Sequence, residues 1–194
     1  MVIDFGRSNT DAPLPVCING EEVERVDAHR YLGIVFDNKF SFHQNTDEIM
    51  KKVQPRMYCL NKLRSFNVDS RILQTFFTSA IQSVLMYGAL CWGGNLCGRE
   101  KGRLDKIITK AGRTVGQEEE TFDELYNKRL TNKTKNILND RTHPFWHEFE
   151  DRRNDSGRLR QPKARTERYR QSFIPRAVAN FNEHFCRDAV EDDF

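Results

Sequence analysis

The hydrophobic pattern changes its period near residue 40. Before that point, apolar residues come in short alternating runs. Val2-Ile3-Asp4-Phe5 reads as a strand with no lead-in, as though earlier members of its sheet were missing, and residues 6 to 15 form a polar, proline-containing loop. The stretch PVCINGEEVERV then places two alternating runs about Asn19-Gly20. Both of these residues tolerate positive φ, which makes the dipeptide the strongest short-range hairpin signal. HRYLGIVFD, residues 29 to 37, reads as one further strand, apolar on both faces in its middle. Residues 2 to 37 therefore predict an antiparallel sheet fragment.

After residue 40 the period is helical. Asn45 followed by Glu48 resembles a capping box. Ile49, Val53, Met57, Leu60 and Leu63 share one face of the helix that follows, with Lys51, Lys52, Arg56, Lys62 and Arg64 on the others, and Pro55 predicts a kink. Asp69 can cap a second helix, in which Ile72, Leu73, Phe76, Phe77, Ala80, Ile81, Val84 and Leu85 make a stripe wide enough for the centre of a bundle. CWGGNLCG interrupts the pattern. A third helix from about Glu100 turns Leu104, Ile107, Ile108, Ala111 and Val115 inward, and Lys101, Arg103, Lys106, Lys110 and Arg113 outward. Thr121 with Glu124 offers a second capping box for a short helix, and Thr131 can start another around Ile137 and Leu138. HPFWHEFEDRRNDSG reads as an ordered loop. Together these elements predict an α+β chain, mainly α: a small antiparallel sheet remnant, then a helical bundle, then a basic helical tail. The segments run 1–40, 41–139, 140–182 and 183–194, the last being an acidic tail.

Charge adds what the period cannot. The whole chain of 194 residues carries a formal net charge of only +3, too little to imply a polyanionic partner. Its distribution is uneven. Arg152, Arg153, Arg158, Arg160, Lys163, Arg165, Arg168, Arg170 and Arg176 face only Asp155 and Glu167 between residues 152 and 176, and the last twelve residues reverse the sign. Tyr169, Phe173, Ala177, Phe181 and Phe185 recur every four residues there, with Pro175 suited to the first turn of a helix. That spacing points to aromatics that pack against a core, leaving the arginines on the other faces to meet phosphates or water.

The five cysteines form no CxxC pair, are odd in number and follow no signal peptide, which favours a reduced intracellular compartment, cytoplasm or nucleus. The longest apolar stretch, near Ile81 to Trp92, is too short and too interrupted to cross a bilayer of about 20 helical residues. Cys91, Cys97, His143 and His147 offer zinc-ligand chemistry at a loose spacing, and the simpler reading is free buried thiols and a structural His-Pro turn. A hydrolase built on Cys91 or Cys97 lacks a legible orienting partner.

Taken in order, MVIDF, INGEEVERVDAHRYLGI, the basic helix containing Pro55, YGALCWGG, the His143-Pro144 step, SGR and SFIPRAV closely resemble the carboxy-terminal end of reverse transcriptases from LINE-type non-LTR retrotransposons, over roughly residues 1 to 182. The resemblance implies a palm-closing strand at Val2 to Phe5 and a primer-grip-like motif at Tyr31, Leu32 and Gly33. It also implies a thumb over residues 41 to about 115 and a post-thumb segment from about 140 to 182. Nucleic-acid contacts would then fall to Lys51, Lys52, Arg56, Arg158, Arg160, Lys163, Arg165, Arg168 and Arg170. The implied partner is RNA or an RNA–DNA hybrid bound without sequence specificity, together with the rest of a polyprotein.

No aspartate pair stands on a strand-turn-strand unit, and polymerisation needs carboxylates that hold two metal ions. The chain alone is therefore expected to have no catalytic residue, no metal and no cofactor, Mg²⁺ belonging to the parent polymerase. An alternative is a partner-binding helical module derived from the same source. Residues 1–36 also resemble the short amino-terminal segment of AlkB-homologue tRNA-modifying dioxygenases and methyltransferases. That activity is the least favoured reading, because His29 is the only histidine there and an iron(II) oxygenase needs two with a carboxylate.

Overall fold

The computed structural model describes residues 2–3 and 15–191, with side chains as far as Glu183. Asp4 and Phe5 of the expected first strand, nearly all of the loop that follows it, and the Asp192-Asp193 end of the acidic tail lie outside the described residues. Val2 forms a parallel bridge with Arg25, its N–H donating to Glu24 O at 2.8 Å.

β1 (Cys17–Ile18) and β2 (Glu21–Glu22) form the Asn19-Gly20 hairpin, with both turn residues at positive φ. The expected single strand over 29–37 is instead a second hairpin. β3 (Ala28–Tyr31) pairs antiparallel with β4 (Ile34–Asp37) through a two-residue turn, with Leu32 at φ 47° and Gly33 at φ 82°. Those angles suit the right-handed twist of the flanking strands. A left-handed leucine costs about 1–3 kcal/mol, and a tertiary contact offsets it. The Tyr87 hydroxyl donates to Leu32 O at 3.0 Å, and the Tyr87 ring lies 3.3 Å from where a Gly33 Cβ would stand.

α1 (His43–Ser65) runs without interruption through Pro55 and buries Ile49, Val53, Met57 and Leu60. Its start differs from the expected capping box. The helix begins after a left-handed Phe42, and Asn45 lies buried in the first turn, where its Oδ1 accepts from Val35 N at 3.1 Å. That bond ties β4 to α1. Glu48 turns to Arg30 and Lys51 instead.

Asp69 caps α2 (Ser70–Phe76), accepting from Arg71 N. The helix then widens into a π-helical stretch (Phe77–Gln82) before α3 (Ser83–Leu85). Leu73, Phe77, Ile81 and Leu85 are all fully buried at a spacing of four. In a plain α-helix that spacing drifts by about 40° at each step. The wider π turn reduces the drift and keeps the four on one face. Ile72, expected in the stripe, is 58% exposed.

α4 (Ala89–Trp92) runs into the CWGGNLCG interruption, where one 3₁₀ turn (Gly93–Asn95) follows it, with Trp92 buried and stacked on Phe122. α5 (Gly98–Val115) buries Leu104, Ile108, Ala111 and Val115 as expected. The Thr121–Glu124 capping box is complete, but it opens one long helix, α6 (Phe122–Asn139). Thr131 starts nothing; it lies inside α6 and donates to Asn127 O and Asn180 Oδ1.

The stretch expected as a loop holds a short helix, α7 (Trp146–Glu150), which buries Phe149. Residues 151 to 166 are irregular. They are followed by α8 (Glu167–Arg170) and α9 (Phe173–Glu191), with Pro175 in the first turn of α9. The helix α9 runs through the segment boundary drawn at 182/183. One hydrophobic cluster joins Ile34 and Phe42 to the bundle and continues to Phe149, Leu159, Ala177 and Val178, so the successive segments share a core. Among the described residues no helix is long and apolar enough to cross a membrane.

Candidate nucleic-acid interface

The β3–β4 turn, α1 and the π-helical stretch enclose a cleft of about 640 Å³. It is lined by Gly33 and Ile34 of the hairpin, by Asn45, Glu48, Ile49, Lys52 and Arg56 of α1, and by Ser79, Ser83 and Tyr87. Tyr31 and Leu32 stand at the tip of the hairpin, 62% and 72% exposed. Three of the expected contact residues, Gly33, Lys52 and Arg56, are thereby brought into one concavity from elements about twenty residues apart in sequence.

The electrostatics of the cleft are positive. Glu48 is the only acid on its wall, and both its oxygens are engaged, by Lys51 Nζ at 3.1 Å and Arg30 Nη2 at 2.6 Å. Lys51 first and then Arg30 hold its carboxyl below the usual range. Lys52 has no ion-pair partner among the described residues. Arg56 donates Nη1 to Ala80 O, inside the π-helical stretch, at 2.5 Å. It therefore has a structural task as well as a place in the cleft. Asn45 Nδ2 is buried with no hydrogen-bond partner among the described residues.

The remaining expected contacts do not share one helix face. Arg158 lies in an exposed turn closed by Gly157 at φ 80°, and Arg160, Lys163 and Arg165 extend from irregular chain before α8. The physical reason is Pro162, which is buried and denies the backbone a helical donor, together with the bridge between Arg153 and Leu159. On α8, Arg170 pairs with Glu167. Arg168 lies 5.1 Å over the Phe40 ring and reaches Lys39 O at 3.5 Å, which sets α8 beside the base of the β3–β4 hairpin. Phe173 and Phe181 pack against the core, as the aromatic spacing predicts. Tyr169 is exposed because α8 ends one residue after it, and the Phe185 side chain lies outside the described residues.

Two important positions were not evident from sequence. Asp37 accepts from Lys39 N and Ser41 N at 3.0 Å, from Phe42 N at 2.7 Å and from the Ser41 hydroxyl at 3.2 Å. Burial pushes its carboxyl up, but the donors from Ser41, Phe42 and Lys39 outweigh that and leave it below the ordinary range. It fixes the loop joining the hairpin to α1. Tyr87 supports the turn from 55 residues away; its place in the YGALCWGG motif was its only signal.

The loose zinc set is not assembled. Cys91 and His143 line an apolar groove, whereas Cys97 lies beside His43 and Glu100, and His147 packs edge-on to Trp146. Cys17, Cys59, Cys91 and Cys97 are free but exposed rather than buried, since each falls on an outward position of its element. The His143-Pro144 step is a turn, as expected, with Trp146 N donating to His143 O at 2.8 Å.

Residues 43–83 match the family model described as alkylated DNA repair protein alkB homolog 8, N-terminal. The match spans α1, α2 and the π-helical stretch, and not residues 1–36, where the AlkB-homologue likeness was expected. No curated protein and no solved structure matches the chain.

Proposed function

We propose that this chain holds RNA or an RNA–DNA hybrid without sequence specificity, as the distal part of a LINE-type reverse transcriptase would, and catalyses nothing alone. The observation that supports this most is the cleft itself, where Gly33 of the primer-grip-like turn meets Lys52 and Arg56 of the basic helix. Backbone near a glycine can approach a sugar-phosphate chain closely, and flanking cations position the strand through phosphates without reading bases. Arg160, Lys163 and Arg165 extend the reading, since none has an ion-pair partner among the described residues. An intracellular setting, cytoplasm or nucleus, belongs to the same reading and accords with Cys17, Cys59, Cys91 and Cys97 being free among the described residues.

The family match over residues 43–83 does not supply oxygenase chemistry. A facial iron site needs two histidines and a carboxylate, and His43 is the only histidine in that stretch. A second reading, contact with a partner protein, is favoured by the apolar groove of about 680 Å³ between Leu90, Phe145, Phe173 and Ile174, with Arg129 and Lys133 at its edge.

Fluorescence anisotropy of a labelled RNA–DNA hybrid between about 50 and 200 mM salt separates the two. Each neutralised phosphate lowers the slope of log K against log salt by about 0.7–0.9, so three or four contacts give roughly −2 to −4. Lys52→Ala with Arg165→Ala should make that slope shallower by about 1–2 and weaken binding similarly across sequences. No binding at the lowest salt, or an unchanged slope, would leave the partner reading in its place.

A further inference from the structure

We propose that His43, Cys97 and Glu100 form a binding site for one divalent transition-metal ion of the zinc class, held between the amino-terminal ends of α1 and α5. Among the described residues this is the one place where three such side chains converge, with one donor atom from each lying within 4.8 Å of the others. His43 Nδ1 is 3.2 Å from Glu100 Oε1. Tetrahedral zinc, with ligands at about 2.0–2.3 Å, separates neighbouring donors by roughly 3.3–3.6 Å. The nitrogen–oxygen edge is thus already in place. The thiol must close by about 1.5 Å at most to complete that tetrahedral face, and both His43 and Cys97 are exposed.

The third ligand is built into the protein. Glu100 is 2% exposed, and its Oε2 accepts from Arg103 Nη1 at 2.7 Å. Arg103 in turn donates Nη2 to Asp47 at 2.7 Å. The pair fixes the carboxylate with Oε1 turned towards His43, as outer partners orient metal ligands. The charges also close: Glu100, Asp47 and a Cys97 thiolate balance Arg103 and a dipositive ion. Binding displaces the thiol proton of Cys97.

A thiolate and an imidazole select against Mg²⁺ and Ca²⁺, which take oxygen ligands. Three protein ligands leave a fourth position for water or for a group from a bound partner, as in open zinc sites. An ion here would fasten α1 to α5 at the end of the bundle nearest Asp37. The proposal is independent of nucleic-acid binding.

The test titrates Co²⁺ into the full chain and follows the near-ultraviolet thiolate-to-metal band, with Zn²⁺ added to displace it. One equivalent should bind. Cys97→Ser should abolish the band without harming the fold, because Cys97 is the N-cap of α5 and serine is a favoured residue there. His43→Ala should remove saturable binding, and Cys91→Ala should change nothing. Asp47→Asn, which touches no ion, should keep the band and weaken affinity about 10–100-fold. A band that survives Cys97→Ser, or a wild-type chain with no 1:1 binding, overturns the proposal.

Discussion

Replacing Asp37 with alanine tests how the hairpin is held to the bundle. The carboxylate accepts three backbone N–H groups and one hydroxyl, all from the loop it closes. A hydrogen bond to a charged group contributes about 1.5–3 kcal/mol, but these four are not additive, and the exposed Lys39 N–H recovers water. The Phe42 N–H does not, because Phe42 is buried. Leaving that donor unpaired costs about 1–3 kcal/mol by itself. Asp37→Ala should therefore destabilise the chain by about 3 kcal/mol at pH 7, measured by urea unfolding followed by circular dichroism. The pH dependence has a definite sign. The folded-state pKa of Asp37 is depressed, so its contribution is complete above the unfolded value of about 3.9 and is lost as pH falls through the folded value. The gap between wild type and variant should stay constant from pH 7 to about 5 and shrink below about 4. A gap under about 1 kcal/mol at pH 7, or one that widens on acidification, would refute the reasoning.

Two substitutions probe the packing beside the cleft. Phe77→Ala should cost about 3–5 kcal/mol in the same assay, because Phe77 is fully buried at the start of the π-helical stretch; a loss below about 1 kcal/mol would remove it from the core. Gly88→Ala should cost about 2–4 kcal/mol, since Gly88 has φ 59° and an added Cβ would stand 2.5 Å from Ile34 Cδ1. Ile34→Val removes that atom, so the double variant should recover about 0.5 kcal/mol or more relative to additivity, and strict additivity would show that the clash is not what matters.

What the sequence determined by itself is whatever depends on neighbours within a turn or two. The Asn19-Gly20 hairpin, the Asp69 cap, the Thr121–Glu124 box, the first-turn Pro175 and the buried faces of α1 and α5 rest on backbone angles and on side chains three or four residues apart. Those interactions are written in the local order of residues. The tertiary structure decided the rest. Leu32-Gly33 became a turn because Tyr87, 55 residues away, receives it. Asn45 left its capping role because Val35 needed an acceptor. The π-helical stretch has no local signal that separates it from an α-helix, and Arg56 meets its Ala80 carbonyl from another helix. The cleft, and the meeting of His43 with Cys97 and Glu100, arise in the same way. The cleft is assembled by packing α1 against the hairpin and the π-helical stretch, and the cluster by packing α1 against α5; pairings of that kind are set by burial of a shared core, which a single-segment pattern does not contain.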